Sequence, residues 1–243
     1  MIKKFKIEII LLGLLLGNIF ISYNLDIGFY VYFKNFSNGL LAPYLKKFFV
    51  EISTLGDSLW YFLISFLVIA STFTNKKLKI FNFRHYKKTN YFFYYVIFCL
   101  TLNGLLTQLL KHVVGRARPN YTSMDGSYGF DFLTLDSNFH SFPSGHTSTI
   151  FIVALVLCLV LPRLRYFLLI FASIVAFSRV VVGAHFFTDV VGGVVIAFTS
   201  FKILNIFLKK KYQFLKPKKI SFDNSFLFFY FFVLFLIVIL VTV

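Results

Sequence analysis

The stretch FPSGHTSTIFIVALVLCLVLP, residues 142–162, decides how the chain is read. It opens on a turn that carries chemistry. Pro143 and Gly145 shape the backbone, Ser144 offers a hydroxyl and His146 can carry a proton. From Ile150 to Leu161 it is apolar without interruption. A polar turn at the mouth of such a run belongs where a buried helix end opens onto a polar cavity.

The surrounding chain is of the same kind. Of 243 residues, 58% are hydrophobic, 21% aromatic and 14% charged, against about 45–50% apolar in soluble domains. Seven apolar stretches run over residues 7–23, 53–73, 91–110, 147–162, 166–182, 189–208 and 226–243. A spanning helix needs about 20 residues at 1.5 Å each. The fourth and fifth stretches fall short, which is tolerable where the chain ends dip into a cavity inside the protein. The first stretch follows Met-Ile-Lys-Lys-Phe-Lys, like a signal-peptide start, but no small-x-small site follows it, so an uncleaved first helix is expected. Residues 24–50 mix Asp26, Lys34, Lys46 and Lys47 with aromatics and read as an interfacial segment with an amphipathic piece. Cys99 and Cys158 lie inside apolar runs and read as packing. Nothing marks an internal repeat, a linker or a second domain.

Charge orients the bundle. With the N-terminus in the cytoplasm and the spans alternating, 18 of the 25 Lys and Arg fall on the cytoplasmic side. Seven of the nine acids fall on the other side, so the cytoplasmic face carries the whole net charge of +16. This is the positive-inside pattern. The basic balance is therefore a topology signal and calls for no nucleic acid partner.

That topology brings four distant segments to the non-cytoplasmic face: KHVVGRARP (residues 111–119), Pro143-Ser144-Gly145-His146, Ser178-Arg179, and the segment 183–189 with His185 and Asp189. Lys111, Arg118 and Arg179 have no acid close in sequence to neutralise them. Ser144 and Gly145 add a hydroxyl and backbone N–H groups at a helix N-terminus, where an anion is favoured. A phosphate fits such a cage. His185 and Asp189, four apart, share a helical face. An Asp there can hold one imidazole N–H and leave the other nitrogen as a nucleophile or base. His146 can protonate a leaving oxygen. Together these describe phosphoryl transfer through a phosphohistidine. No His, Asp, Glu or Cys cluster has metal-ligand spacing, so neither metal nor cofactor is expected.

The three motifs resemble those of the type 2 phosphatidic acid phosphatases, the membrane branch of a superfamily shared with vanadium haloperoxidases and bacterial acid phosphatases. They stand here as Lys111-x6-Arg118-Pro119, Pro143-Ser144-Gly145-His146 and Ser178-Arg179-x5-His185-x3-Asp189. The resemblance implies His185 as nucleophile, Asp189 as its partner and His146 as general acid, with Lys111, Arg118, Ser144, Gly145 and Arg179 binding phosphate. It implies an all-α, polytopic membrane bundle, with a six-helix phosphatase core over residues 1–208. Residues 209–243 add a Lys-rich cytoplasmic loop and a seventh, C-terminal transmembrane helix. Two departures stand out: Phe187 occupies a position where the family often has Pro, and the family core ends with the sixth helix.

The implied function is metal-independent hydrolysis of a phosphomonoester or diphosphate on a lipid at the non-cytoplasmic face of a bacterial inner membrane. Candidate substrates are lipid A, an isoprenyl diphosphate, phosphatidylglycerol phosphate and phosphatidic acid. A lipid phosphotransferase with the same site, or an inactive protein that binds anionic lipids, are the alternatives. Membrane lipids are the expected surroundings, and the sequence names no protein partner. Arg116 and His112 read as loop or headgroup contacts. Asn18, Asn103, Thr107 and Gln108 read as helix–helix hydrogen bonds. The connection from His112 to Phe142, rich in Gly and aromatics, reads as a functional loop that helps choose the lipid.

Overall fold

The structure, a computed structural model, describes residues 23–36, 42–78, 86–125 and 129–208. The expected first and seventh apolar helices and the Lys-rich loop before the latter lie outside the described residues. Among the described residues, eight α-helices carry the fold: α1 (Tyr23–Phe36), α2 (Ala42–Ser53), α3 (Ser58–Leu78), α4 (Tyr86–Val114), α5 (Pro119–Asp125), α6 (Gly145–Val160), α7 (Arg165–Val181) and α8 (Phe187–Leu208). Among the described residues there is no strand, only an isolated antiparallel bridge between Arg116 and Phe130.

Among the described residues, three helical stretches are long and apolar enough to cross a membrane: Thr89–Val114, Pro162–Val181 and Phe187–Phe207. A fourth candidate is a broken one, Pro43–Gly56 followed by Ser58–Thr72, bent by 47°. The break falls at Asp57, whose carboxylate accepts from the Leu59 N–H at 3.0 Å and so starts α3 afresh. The second apolar stretch read from the sequence, 53–73, lies almost wholly in α3; the break at Asp57 separates from it only Ser53 and the Thr54–Gly56 turn.

Helix α6 has only 16 residues, and it is the centre of the bundle. It packs on α4, α7 and α8, and nearly all of it is buried. Short length follows from that position: α6 is shielded by protein, and its N-terminus opens on a polar site inside the bundle. It ends at Val160 because Pro162 cannot continue it. Its buried Ser148 is hydrogen-bonded across to α4. The Ser148 hydroxyl donates to the Gly145 carbonyl at 2.9 Å and accepts from Asn103 Nδ2 at 3.1 Å, with Thr107 Oγ1 also 3.1 Å away. Those are interhelical bonds of the kind expected for Asn103 and Thr107. Cys99 is buried among the core side chains.

Close approach of α8 to α6 depends on Gly193. A side chain there would place its Cβ 2.6 Å from the Ser144 carbonyl oxygen and 2.8 Å from Thr147 Cβ. The small residue lets the turn before α6 lie directly on α8.

Candidate active site

Each chemically active segment sits at the end of a helix. Lys111 lies in the last turn of α4, which closes at Gly115 with φ +54°, its N–H donating to the Lys111 carbonyl at 3.0 Å. This is a left-handed cap that suits glycine. The chain then runs extended through Arg116 and Arg118. The two arginines serve different places: the Arg116 guanidinium turns to Asp26 and Asp189, whereas Arg118 Nε donates to the Ser137 carbonyl at 3.0 Å.

The 129–141 segment is stitched to this one. Asp131 N–H donates to Gly115, Ala117 N–H to Gly129, Arg118 N–H to Asn138 and Ser141 N–H to Arg116, all at 2.7–3.0 Å. The expected substrate-choosing loop is therefore built: it contains α5 and a short 3-10 turn, Ser137–Phe139, rather than running without structure. Its apolar side chains Phe132, Leu133 and Leu135 stand exposed.

Ser144 is fully buried at the start of α6, and its oxygen accepts from Thr147 Oγ1 at 3.0 Å. Its N–H donates to the Asp189 carbonyl at 3.0 Å, which ties the second motif to the third. The first-turn N–H groups of a helix have no acceptor within it, and here they stand beside Lys111, whose ammonium lies 3.8 Å from where a Cβ on Gly145 would be. His146 packs on the Thr54–Gly56 turn. At the end of α7, Arg179 donates to Ser53 Oγ at 3.0 Å, and its carbonyl accepts from the Ala184 and His185 N–H groups at 3.0 and 3.2 Å.

All eight residues singled out in the sequence meet here. Lys111 is within electrostatic reach of Arg118, Arg179 and Asp189; His146 of Arg179, Lys111 and Arg118; and His185 of Asp189, Lys111 and Arg179. Burial holds the Arg118 guanidinium below its usual pKa. His185 is buried, and that burial pulls its imidazole down to about 3, with Lys111 and Arg179 acting in the same direction and the Asp189 carboxylate opposing. The imidazole is therefore neutral at physiological pH, its nitrogen lone pair available without a separate base.

The link between His185 and Asp189 is looser than the spacing suggests. Asp189 Oδ2 stands 3.8 Å from His185 Nδ1, beyond a hydrogen bond. The carboxylate is engaged elsewhere. Oδ2 accepts from Ser141 Oγ at 2.5 Å and from the Phe186 N–H at 2.8 Å, and Oδ1 accepts from Arg116 Nη1 at 2.6 Å. The bond back to Phe186 resembles a capping box, an acidic side chain in the first turn satisfying the N–H before the helix. Helix α8 starts at Phe187, so His185 precedes the helix.

Two buried ions were read differently in the sequence. Arg116 is fully buried, not a loop or headgroup contact, and Asp26 is buried with it, not at the interface. Burying either charge alone would be costly; together, with Asp189, they satisfy one another. Ser141, Thr188 and Ser53 were likewise not singled out. For Arg116 a signal existed in its place between Lys111 and Arg118. Asp26 is 90 residues away, and only the fold brings it there. Among the described residues, no group of three His, Cys, Asp or Glu could hold a metal ion.

An all-helical bundle with this cage at one end defines a class, and sequence comparison places the chain in it. The chain belongs to the PAP2 superfamily, whose sequence model matches residues 92–213. Among curated relatives, the lipid A 1-phosphatase of Rhizobium johnstonii is 38% identical over 99 residues, 41% of this chain and 41% of that protein. That of Rhizobium etli is 33% identical over 141 residues, 57% of this chain and 60% of that protein. The matched segment is thus less than two thirds of either relative. Among solved structures, a transmembrane PAP2-type phosphatidylglycerolphosphate phosphatase from Bacillus subtilis shares the fold. Its TM-score is 0.58 at 23% identity, over 84% of this chain and 94% of that one. The protein is a multi-pass membrane protein of this fold.

Proposed function

We propose that the protein is an integral-membrane lipid phosphatase that works through a phosphohistidine on His185. The observation that carries this reading is a buried, neutral His185 within electrostatic reach of Lys111 and Arg179. The cations hold the phosphoryl oxygens and stabilise charge in the transition state. The imidazole nitrogen attacks phosphorus, and an N–P bond forms as the P–O bond to the lipid breaks. The electron pair goes to the leaving oxygen, which takes a proton from His146; burial, with Arg179, Lys111 and Arg118, holds that imidazole down to about 4 in the free site, so His146 carries the proton only once the negative phosphate has entered the cage. Water then attacks phosphorus, the N–P bond breaks, His146 recovers a proton from that water, and phosphate leaves.

Substrate and orientation follow from different observations. The relatives named lipid A 1-phosphatase favour a phosphate on a lipid A-like glycolipid, and the loop charges favour a catalytic face on the non-cytoplasmic side of the inner membrane. An acyl chain can stay in the bilayer while its phosphate reaches His185. In this reading residues 1–208 are the catalytic core, and residues 209–243 a cytoplasmic loop and a further span.

The test is a headgroup-resolved panel with purified protein in detergent: lipid A, phosphatidylglycerol phosphate, phosphatidic acid, undecaprenyl diphosphate and a water-soluble phosphate ester. A preference for lipid A over the other lipids, lost in His185→Asn, is the expected result. Equal turnover of the soluble ester and every lipid would overturn the lipid-phosphatase reading.

A further inference from the structure

We propose that Asp26 and Arg116 are positioning residues for the catalytic carboxylate, and that Asp26, by sharing Arg116 with Asp189, leaves a net negative charge on this cluster beside His185. The inference rests on the phosphatase reading above and names a device that its three motifs do not contain.

Arg116 lies between two carboxylates. Nη1 donates to Asp189 Oδ1 at 2.6 Å and to Thr188 Oγ1 at 2.7 Å, and Nη2 donates to Asp26 Oδ2 at 2.6 Å. The guanidinium also lies over the Phe186 ring, 4.4 Å from its centroid. Both ion-pair partners are essentially inaccessible to solvent. Asp26 is fixed in turn: Oδ2 accepts from Thr188 Oγ1 at 2.5 Å and Oδ1 from the Thr188 N–H at 3.1 Å. A carboxylate from α1 thus sits at the N-terminus of α8, where the helix dipole favours an anion. Every contact of this cluster falls on or beside His185–Asp189, the segment the chemistry uses.

The electrostatic consequence follows from counting charges. When His185 forms an N–P bond its ring becomes cationic, and it needs a counter-ion. Asp189, 3.8 Å away, is the candidate. An Arg116 paired with Asp189 alone would cancel that counter-ion. Shared between Asp26 and Asp189, Arg116 orients Asp189 and leaves one net negative charge in the cluster. Lysine could not replace it, because an ammonium is not a planar fork able to reach both carboxylates.

A purely structural ion pair and this device differ in kinetics. Asp26→Asn removes one negative charge while keeping shape and hydrogen-bonding capacity. The proposal predicts that kcat falls about 10–100-fold, the scale of a misplaced catalytic group. KM for a lipid phosphate, and the inhibition constant of inorganic phosphate, stay the same or fall, because the site has become more positive. The loss must also vanish in the Asp189→Asn background, since Asp26 acts through Asp189. Thr188→Val, which removes the bridging hydroxyl and leaves both charges, provides the same two readouts if Asp26→Asn does not accumulate as folded protein: a smaller fall in kcat, unchanged KM and no additivity with Asp189→Asn. Losses that multiply with Asp189→Asn, or a raised KM with kcat intact, would overturn the proposal. Wild-type turnover of the lipid phosphate reads the phosphatase assignment separately: its absence would remove that assignment and this inference with it.

Discussion

His185 Nδ1 and Asp189 Oδ2 stand 3.8 Å apart, and the shorter contacts of Asp189 are to Ser141, Arg116 and the Phe186 N–H. Asp189 is therefore held first by the protein and only then offered to the histidine. A carboxylate with both oxygens engaged cannot swing, so its distance to the imidazole is set by α8 and the 116–141 segment.

Neutral burial of His185 makes stability depend on pH with a definite sign. The folded pKa is about 3, below the roughly 6.5 of an exposed imidazole. Between these values the unfolded chain binds a proton that the folded chain does not, so stability rises with pH by at most about 1.4 kcal/mol per unit. Below the window the contribution is lost in full, and above it no dependence on His185 remains. Thermal melting in detergent from pH 4 to pH 8 is expected to show a shallower acid-side slope for His185→Asn than for wild type. Identical slopes would contradict a neutral, buried His185.

Arg179 is held by Ser53, a residue outside the three motifs. A hydrogen bond to a charged group contributes about 1.5–3 kcal/mol. Ser53→Ala is expected to raise KM for a lipid phosphate and the inhibition constant of vanadate by about tenfold or more, with little change in melting temperature. Unchanged vanadate inhibition would mean that Arg179 needs no such support.

Gly193 sets the spacing between α8 and the turn before α6. Gly193→Ala places a methyl 2.6 Å from the Ser144 carbonyl oxygen, and overpacking of this kind costs about 1–3 kcal/mol. Lower melting temperature together with loss of activity is expected, because the Ser144 N–H also donates to the Asp189 carbonyl and ties this turn to α8. A variant with wild-type melting and turnover would show that the turn tolerates displacement.

Membrane orientation is open to chemical labelling. With Cys99 and Cys158 replaced, single cysteines at residues 131–136 should react with an impermeant thiol reagent from outside spheroplasts, and cysteines at 76–78 should not. The reverse pattern would place the cage in the cytoplasm.

Much of this was legible because chemistry and topology were written in the same residues. Hydrophobic runs located α3, α4, α6, α7 and α8, and alternation across the membrane gathered Lys111, Arg118, His146, Arg179 and His185 at one face before any geometry was known. What stayed hidden has a common cause. Asp26 looks like any acid among interfacial aromatics, and its burial follows from a partner 90 residues away. Arg116 and Arg118 are two cations two residues apart, and nothing in the letters says which of them turns inward to a pair of carboxylates. Ser53 and Ser141 are ordinary serines until their partners are seen. The bend at Asp57 was written in Gly56-Asp57-Ser58, a turn signal that the apolar residues following it outweighed in the reading of 53–73 as one span.

The central claim is that phosphate passes through a covalent bond to His185. Rapid quenching of enzyme mixed with a ³²P-labelled lipid phosphate tests it most directly. The account predicts a base-stable, acid-labile phosphohistidine on the peptide that contains His185, formed no more slowly than turnover and absent in His185→Asn. Steady turnover with no such adduct at any quench time, or a label on another residue, would contradict it.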